Sequence, residues 1–131
     1  MVDAVPSKLL SRACLALSVG LLVLSAYLGK QAALTTEQVS VSGLLGNPWY
    51  VAVLFCLGTH ALVWPLALRT IPLSIAYAIA NPLSLLGILV VANRAFGEPI
   101  TGWNAAGLAL MVAGLWFLLS APRRPPAEEN T

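Results

Sequence analysis

Charge is what this chain has least of. Asp, Glu, Lys and Arg together make up 9% of its 131 residues, where a soluble domain carries about 25%. The net charge of +2 is too small to suggest a nucleic-acid partner. Acids are missing altogether from four apolar stretches, residues 9–28, 49–68, 71–92 and 100–119. That absence removes the buried carboxylate through which many small exporters couple transport to protons. Only two cysteines are present, Cys14 and Cys56, both inside apolar stretches; they read as buried small hydrophobes, not as a disulfide or a metal pair. There is no Gly-rich phosphate loop, no metal-ligand cluster and no nucleophile–base pair, so neither an enzyme nor a cofactor or metal site is expected.

What the chain does have is greasy length. Hydrophobic residues account for 59% of it, and each apolar stretch holds the roughly 20 residues that carry a helix across a hydrocarbon core about 30 Å thick. The expectation is an all-α membrane protein: one domain over residues 1–121 with four transmembrane helices, followed by a disordered tail at 122–131. Lys8 and Arg12 before the first stretch resemble the n-region of a signal peptide, but the run is longer than an h-region and Lys30-Gln31 follows it, which favours a retained helix. Four spans put both termini on one side. That side holds Lys8, Arg12, Arg69, Arg123 and Arg124, and the other holds Lys30 and Arg94. The positive-inside rule then assigns the termini to the cytoplasm. Trp49, Tyr50, Trp103 and Trp116 lie near span ends, where amphipathic rings favour the interface.

The connections differ in kind. Loop one, about residues 33–48, is polar and Gly-rich, with room for an interfacial turn at Leu44-Leu45. Loop two is only Arg69-Thr70, with Pro72 placed to start the third helix and the second and third spans expected to pair antiparallel. Loop three, residues 93–99, contains Arg94, Gly97, Glu98 and Pro99. Pro65 and Pro82 interrupt the second and third spans, either as packing kinks or as points of flexing.

Four groups of residues could carry function. Ser74, Tyr77, Asn81 and Ser84 follow one another at helical spacing and share a face of the third span. They fit either helix–helix hydrogen bonding or a groove that receives a polar head group. His60 stands one helical turn before Trp64 in the second span, as a packing residue or a proton carrier. Lys30 and Arg94 reach the same membrane face with Gln31, Asn93 and Glu98 nearby. Either they snorkel to the interface or they hold a phosphate. Gly107 and Gly114 lie seven apart in the fourth span with Ala106, Ala109 and Ala113, a pattern that lets helices approach within a subunit or between copies. Four helices leave no room for a passage between them, so a transporter of this length needs at least a dimer.

The segment Arg69-Thr70-Ile71-Pro72-Leu73-Ser74-Ile75-Ala76-Tyr77-Ala78 resembles a signature of the drug/metabolite transporter superfamily, in its four-helix small multidrug resistance-like branch, and Glu98-Pro99 is similar to that branch's loop-three dipeptide. The resemblance implies a small multidrug resistance-like bundle that dimerises through Gly107 and Gly114. Drug exporters of the branch carry a first-helix glutamate eight residues before a lysine; counting back from Lys30 reaches Leu22. A second subgroup, the subunits that flip undecaprenyl-phosphate-aminoarabinose, also lacks that glutamate. It shares segments similar to Lys30-Gln31-Ala32, Cys56-Leu57-Gly58 and Trp64. The resemblance therefore implies a flippase of the bacterial inner membrane that takes a lipid-linked sugar or aminosugar and works as a homodimer or with a related subunit. Lys30, Gln31, Ser74, Tyr77, Asn81, Ser84 and Arg94 are the main substrate-binding candidates, with His60, Trp64 and Glu98 beside them. Two alternatives are a quaternary-cation exporter using His60 or Glu98 and a non-transporting subunit of a larger membrane complex.

Overall fold

A computed structural model describes residues 8–36 and 40–120. The expected tail at 122–131 lies outside the described residues. The chain is an all-α membrane protein whose elements run α1 (Lys8–Thr35), α2 (Val41–Gly46), α3 (Pro48–Leu68), α4 (Leu73–Phe96) and α5 (Gly102–Ser120). All but the short α2 are long and apolar enough to cross a bilayer. α2 occupies the place where the sequence allowed an interfacial turn. It is capped by Ser40, whose hydroxyl accepts from the Gly43 N–H at 3.1 Å.

The first helix is the centre of the bundle. It packs most extensively on α3, then on α4, whereas α5 rests on α4. Its core face is a seven-residue repeat of small side chains, Ser11, Ser18, Ser25 and Ala32, all buried. Leu15 fills in between, with Leu22 and Gly29 at the matching later positions. Steps of four and three residues keep one seam facing a partner helix, and small residues on that seam let membrane helices close up without a hydrophobic drive. On α4 the answering residues are Ala76, Ala80 and Ser84, again buried, followed by Gly87, where a Cβ would stand 2.6 Å from Cγ2 of Val23. Leu15, Val19, Ala67, Ala76 and Ala80 make one core cluster near the start of α1, with Cys14 and Trp64 packed on it. Both cysteines are free thiols, Cys56 buried and Cys14 half-buried.

This packing corrects the expected pairing of the second and third spans. The short connection at Arg69-Thr70 does turn the chain back, but α3 and α4 meet little beyond it because α1 packs against both. The tight link limits the distance between two helix ends, not the partner each helix chooses along its length.

Helix ends also differ from the hydropathy reading, and local chemistry explains each. α1 runs past Leu28 to Thr35, where Thr35 and Thr36 hydroxyls bond back to Ala32 O at 3.2 and 2.7 Å. Asn47 ties this end to the next span. Its amide donates to Ala32 O (3.3 Å), Thr35 Oγ1 and Thr36 Oγ1 (both 3.0 Å). Its Oδ1 accepts from the Trp49 N–H at 2.9 Å and so caps α3, with Pro48 at the first turn. Pro72 precedes α4 as its extended cap residue rather than entering it. α4 continues through Asn93 and Arg94 to Phe96 and ends at Gly97, whose φ of 67° is left-handed and suits glycine.

Candidate functional site

Two clusters collect the residues singled out above. The first is at the joint between the end of α1 and the end of α4. The left-handed turn at Gly97 sends the chain back over α4, the Asn93 amide donates to the Glu98 carbonyl at 2.9 Å, and the Glu98 carboxylate forms an ion pair with Lys30. The Lys30 ammonium also sits 4.6 Å from the centre of the Phe96 ring, a cation–π geometry. Phe96 in turn packs against Tyr27 at 5.5 Å, and Gln31 donates to the Tyr27 hydroxyl at 3.2 Å. Tyr27, Lys30, Phe96 and Glu98 line part of a small, half-open pocket of about 110 Å³.

Arg94 is exposed and stands apart from that pair. It lines a larger groove of about 530 Å³ between α1 and α4, whose other walls include Gly20, Val23, Leu24, Tyr27 and Val90. Lys30 and Arg94 both lie beside Tyr27, at the same end of α1 and α4, but they face different spaces, and Lys30 already has an anion.

The second cluster is a groove of about 360 Å³ between α4 and α5. Ser74, Tyr77 and Asn81 line one wall and Met111, Gly114 and Leu118 the other. Tyr77 meets Trp64 edge-on at 4.9 Å, and Trp64 lies 5.7 Å from His60, which joins the α3 pair to the groove. His60 Nδ1 is buried with no hydrogen-bond partner among the described residues. Asn81 is exposed although it lies eight residues into α4, about 12 Å along the helix axis. Ser84, read with this stripe, is buried at the helix interface and is not part of the groove lining.

The two clusters do not merge. Asn81 and Arg94 are thirteen residues apart, which at 3.6 residues per turn leaves them about 140° apart around the helix. The polar groove therefore opens toward α5 and the Arg94 groove toward α1. Sequence reasoning missed three residues here. Asn47 was legible as a cap before Pro48, the pattern that begins many helices. Tyr27 and Phe96 had no such signal, because their meeting depends on α1 and α4 being neighbours.

The comparisons with known proteins bear on this arrangement. Over 72 residues the chain is 35% identical to the probable 4-amino-4-deoxy-L-arabinose-phosphoundecaprenol flippase subunit ArnE of Pseudomonas fluorescens, covering 55% of this chain and 62% of that protein. The subunit of the same name from Escherichia fergusonii is 30% identical over 70 residues, 53% of this chain and 62% of that protein. The chain spans about 62% of the length of the curated relatives it matches. The likeness to this subgroup, read from short motifs in the sequence, is thus found along a longer alignment. No family model matches, and no solved structure matches.

Proposed function

We propose that the chain is a transporter subunit of the bacterial inner membrane that moves a lipid-linked aminosugar, of the arabinose-phosphoundecaprenol kind, between leaflets. The observation that carries the reading is Asn81. Asn81 lines the groove between α4 and α5, well inside a helix long and apolar enough to cross a bilayer, and its side chain makes no hydrogen bond among the described residues. Hydrocarbon offers an amide nothing, so such a group needs a partner from a substrate or another chain. Ser74 and Tyr77 beside it add hydroxyls, and Trp64 and Tyr77 add ring faces. That combination suits a sugar head while its tail stays in lipid. No acidic residue lies in the four spans to couple the step to protons; consumption of the product in the far leaflet would suffice to drive it.

A second copy or a related four-helix subunit completes the groove. α5 has no buried residue, and a Cβ built on Gly107 or Gly114 would meet nothing within 4 Å. The glycine face that sequence spacing left undecided makes no close helix contact within the subunit, and Gly114 lines the open groove itself, which supports a second subunit closing the groove along α5. The charge distribution supports cytoplasmic termini, with the Lys30–Glu98 joint in the opposite leaflet.

Mass spectrometry of lipid retained by gently purified protein tests the reading. A bound polyprenyl phosphosugar supports it. Retention of bulk phospholipid alone, with co-purification of a larger membrane enzyme, supports the non-transporting alternative instead.

A further inference from the structure

The second groove is not used by the sugar-binding reading, and its composition is specific. Between α1 and α4 it is walled by Gly20, Val23, Leu24, Val90 and Val91, apolar throughout, and it ends at Tyr27 and Arg94. From Gly20 to Tyr27 is seven residues, about 10 Å along the helix. α1 and α4 run parallel here, since Val23 meets Gly87 and Lys30 meets Glu98 further along. The trench therefore points along the membrane normal with its cation near the helix ends.

Charge sorts the two cations of this leaflet. Lys30 is neutralised by Glu98 and held over Phe96. Arg94 has no ion-pair partner among the described residues. An arginine left unpaired at the top of an apolar trench is complementary to an anion with a hydrocarbon chain attached below it. Guanidinium matches phosphate oxygens in a two-point fork, which ammonium does not.

We infer that the α1–α4 groove is a binding site for a prenyl phosphate, with the phosphate on Arg94 and the first isoprene units between Gly20, Leu24 and Val90. This deepens the transport reading and rests on it for the choice of a prenyl tail. It places the phosphate and the sugar-binding groove on different faces of α4. Because the sugar of such a lipid is bonded directly to its phosphate, one molecule occupies the two grooves at different stages and not at once. The α1–α4 groove holds the prenyl phosphate in the leaflet of the Lys30–Glu98 joint, and the Asn81 groove meets the head during passage.

Binding of decaprenyl phosphate and of uncharged decaprenol, to protein in phosphatidylcholine nanodiscs, tests the inference. Arg94→Gln is expected to weaken decaprenyl phosphate roughly tenfold, the ratio set by about 1.4 kcal/mol, while leaving decaprenol unchanged. Gly20→Leu fills the trench, because a Cβ there meets nothing within 4 Å, and is expected to weaken both lipids. Ala95 also lines this groove, on the α4 wall, so Ala95→Leu is expected to weaken both lipids as well and guards against a folding defect in the first variant. Equal phosphate binding by wild type and Arg94→Gln overturns the inference, as does phosphatidylglycerol competing as well as decaprenyl phosphate. Loss of binding in Asn81→Leu with retention in Arg94→Gln also overturns it while leaving the transport reading intact. Failure of the wild type to bind any prenyl phosphate would count against both.

Discussion

Gly87 stands where α4 leaves no room for a side chain against Val23 of α1, in the contact that shapes both the Lys30–Glu98 joint and the Arg94 groove, and one methyl group tests it. An alanine Cβ at this position would lie 2.6 Å from Val23 Cγ2, 3.4 Å from Cγ1 and 3.6 Å from Cβ. Carbon atoms pack at about 3.5–4.0 Å, so the closest pair overlaps by about 1 Å. Val23 cannot swing away freely, because a β-branched side chain in a helix has one strongly preferred rotamer. The helices must separate or Val23 must leave its rotamer, and overpacking of this kind costs about 1–3 kcal/mol. Gly58→Ala is the matched control, since a Cβ there meets nothing within 4 Å and any gain in helix propensity is common to both variants. Denaturant unfolding in mixed micelles, followed by helical circular dichroism, should place Gly87→Ala below Gly58→Ala by that amount. Adding Val23→Ala should recover part of the loss as a favourable coupling in the double-mutant cycle. Equal stability of the two alanine variants would refute the packing of α4 on α1.

Other perturbations separate the remaining contacts. Asn47→Ala should lower stability by about 1–2 kcal/mol through loss of the α3 cap and of the amide's bonds to Ala32, Thr35 and Thr36. Asn47→Asp keeps the cap acceptor and should lose less, and both are read by thermal unfolding. Ser18→Leu forces a large side chain into a fully buried seam position and should cost about 1–3 kcal/mol or more, seen as poor accumulation of folded protein; wild-type yield would remove the serine seam. Gly97→Ala should cost about 1–2 kcal/mol, because φ of 67° crowds a Cβ. It should also weaken the Lys30–Glu98 coupling measured by double-mutant cycle.

The spans were legible because nothing but a membrane accommodates four apolar stretches free of acids. Their ends were less so. Lys30-Gln31 looks like the surface end of a helix, yet α1 continues because Lys30 finds Glu98 and Phe96, and Gln31 finds Tyr27. The Ser74, Tyr77 and Asn81 stripe was readable from helical spacing and does line one groove; Ser84 has the same spacing but is claimed by the buried face. The Ser11, Ser18, Ser25 and Ala32 seam escaped notice because serine reads as polar, whereas in a membrane helix its small size governs packing. Spacing alone could have separated Asn81 from Arg94 around α4. What it could not supply was α1 as the neighbour of both α3 and α4, because that order depends on which small residues face which helix.

The central claim, that the Asn81 groove conducts the polar head of a lipid-linked aminosugar, is tested by leaflet exchange in proteoliposomes. The assay follows accessibility of the lipid's amino group to a membrane-impermeant reagent, with any partner subunit reconstituted alongside. Wild type should speed exchange over empty vesicles, and Asn81→Leu, placed on the exposed face of α4 where it disturbs no buried contact, should return the rate toward the empty-vesicle value. Exchange by Asn81→Leu at the wild-type rate would contradict the account.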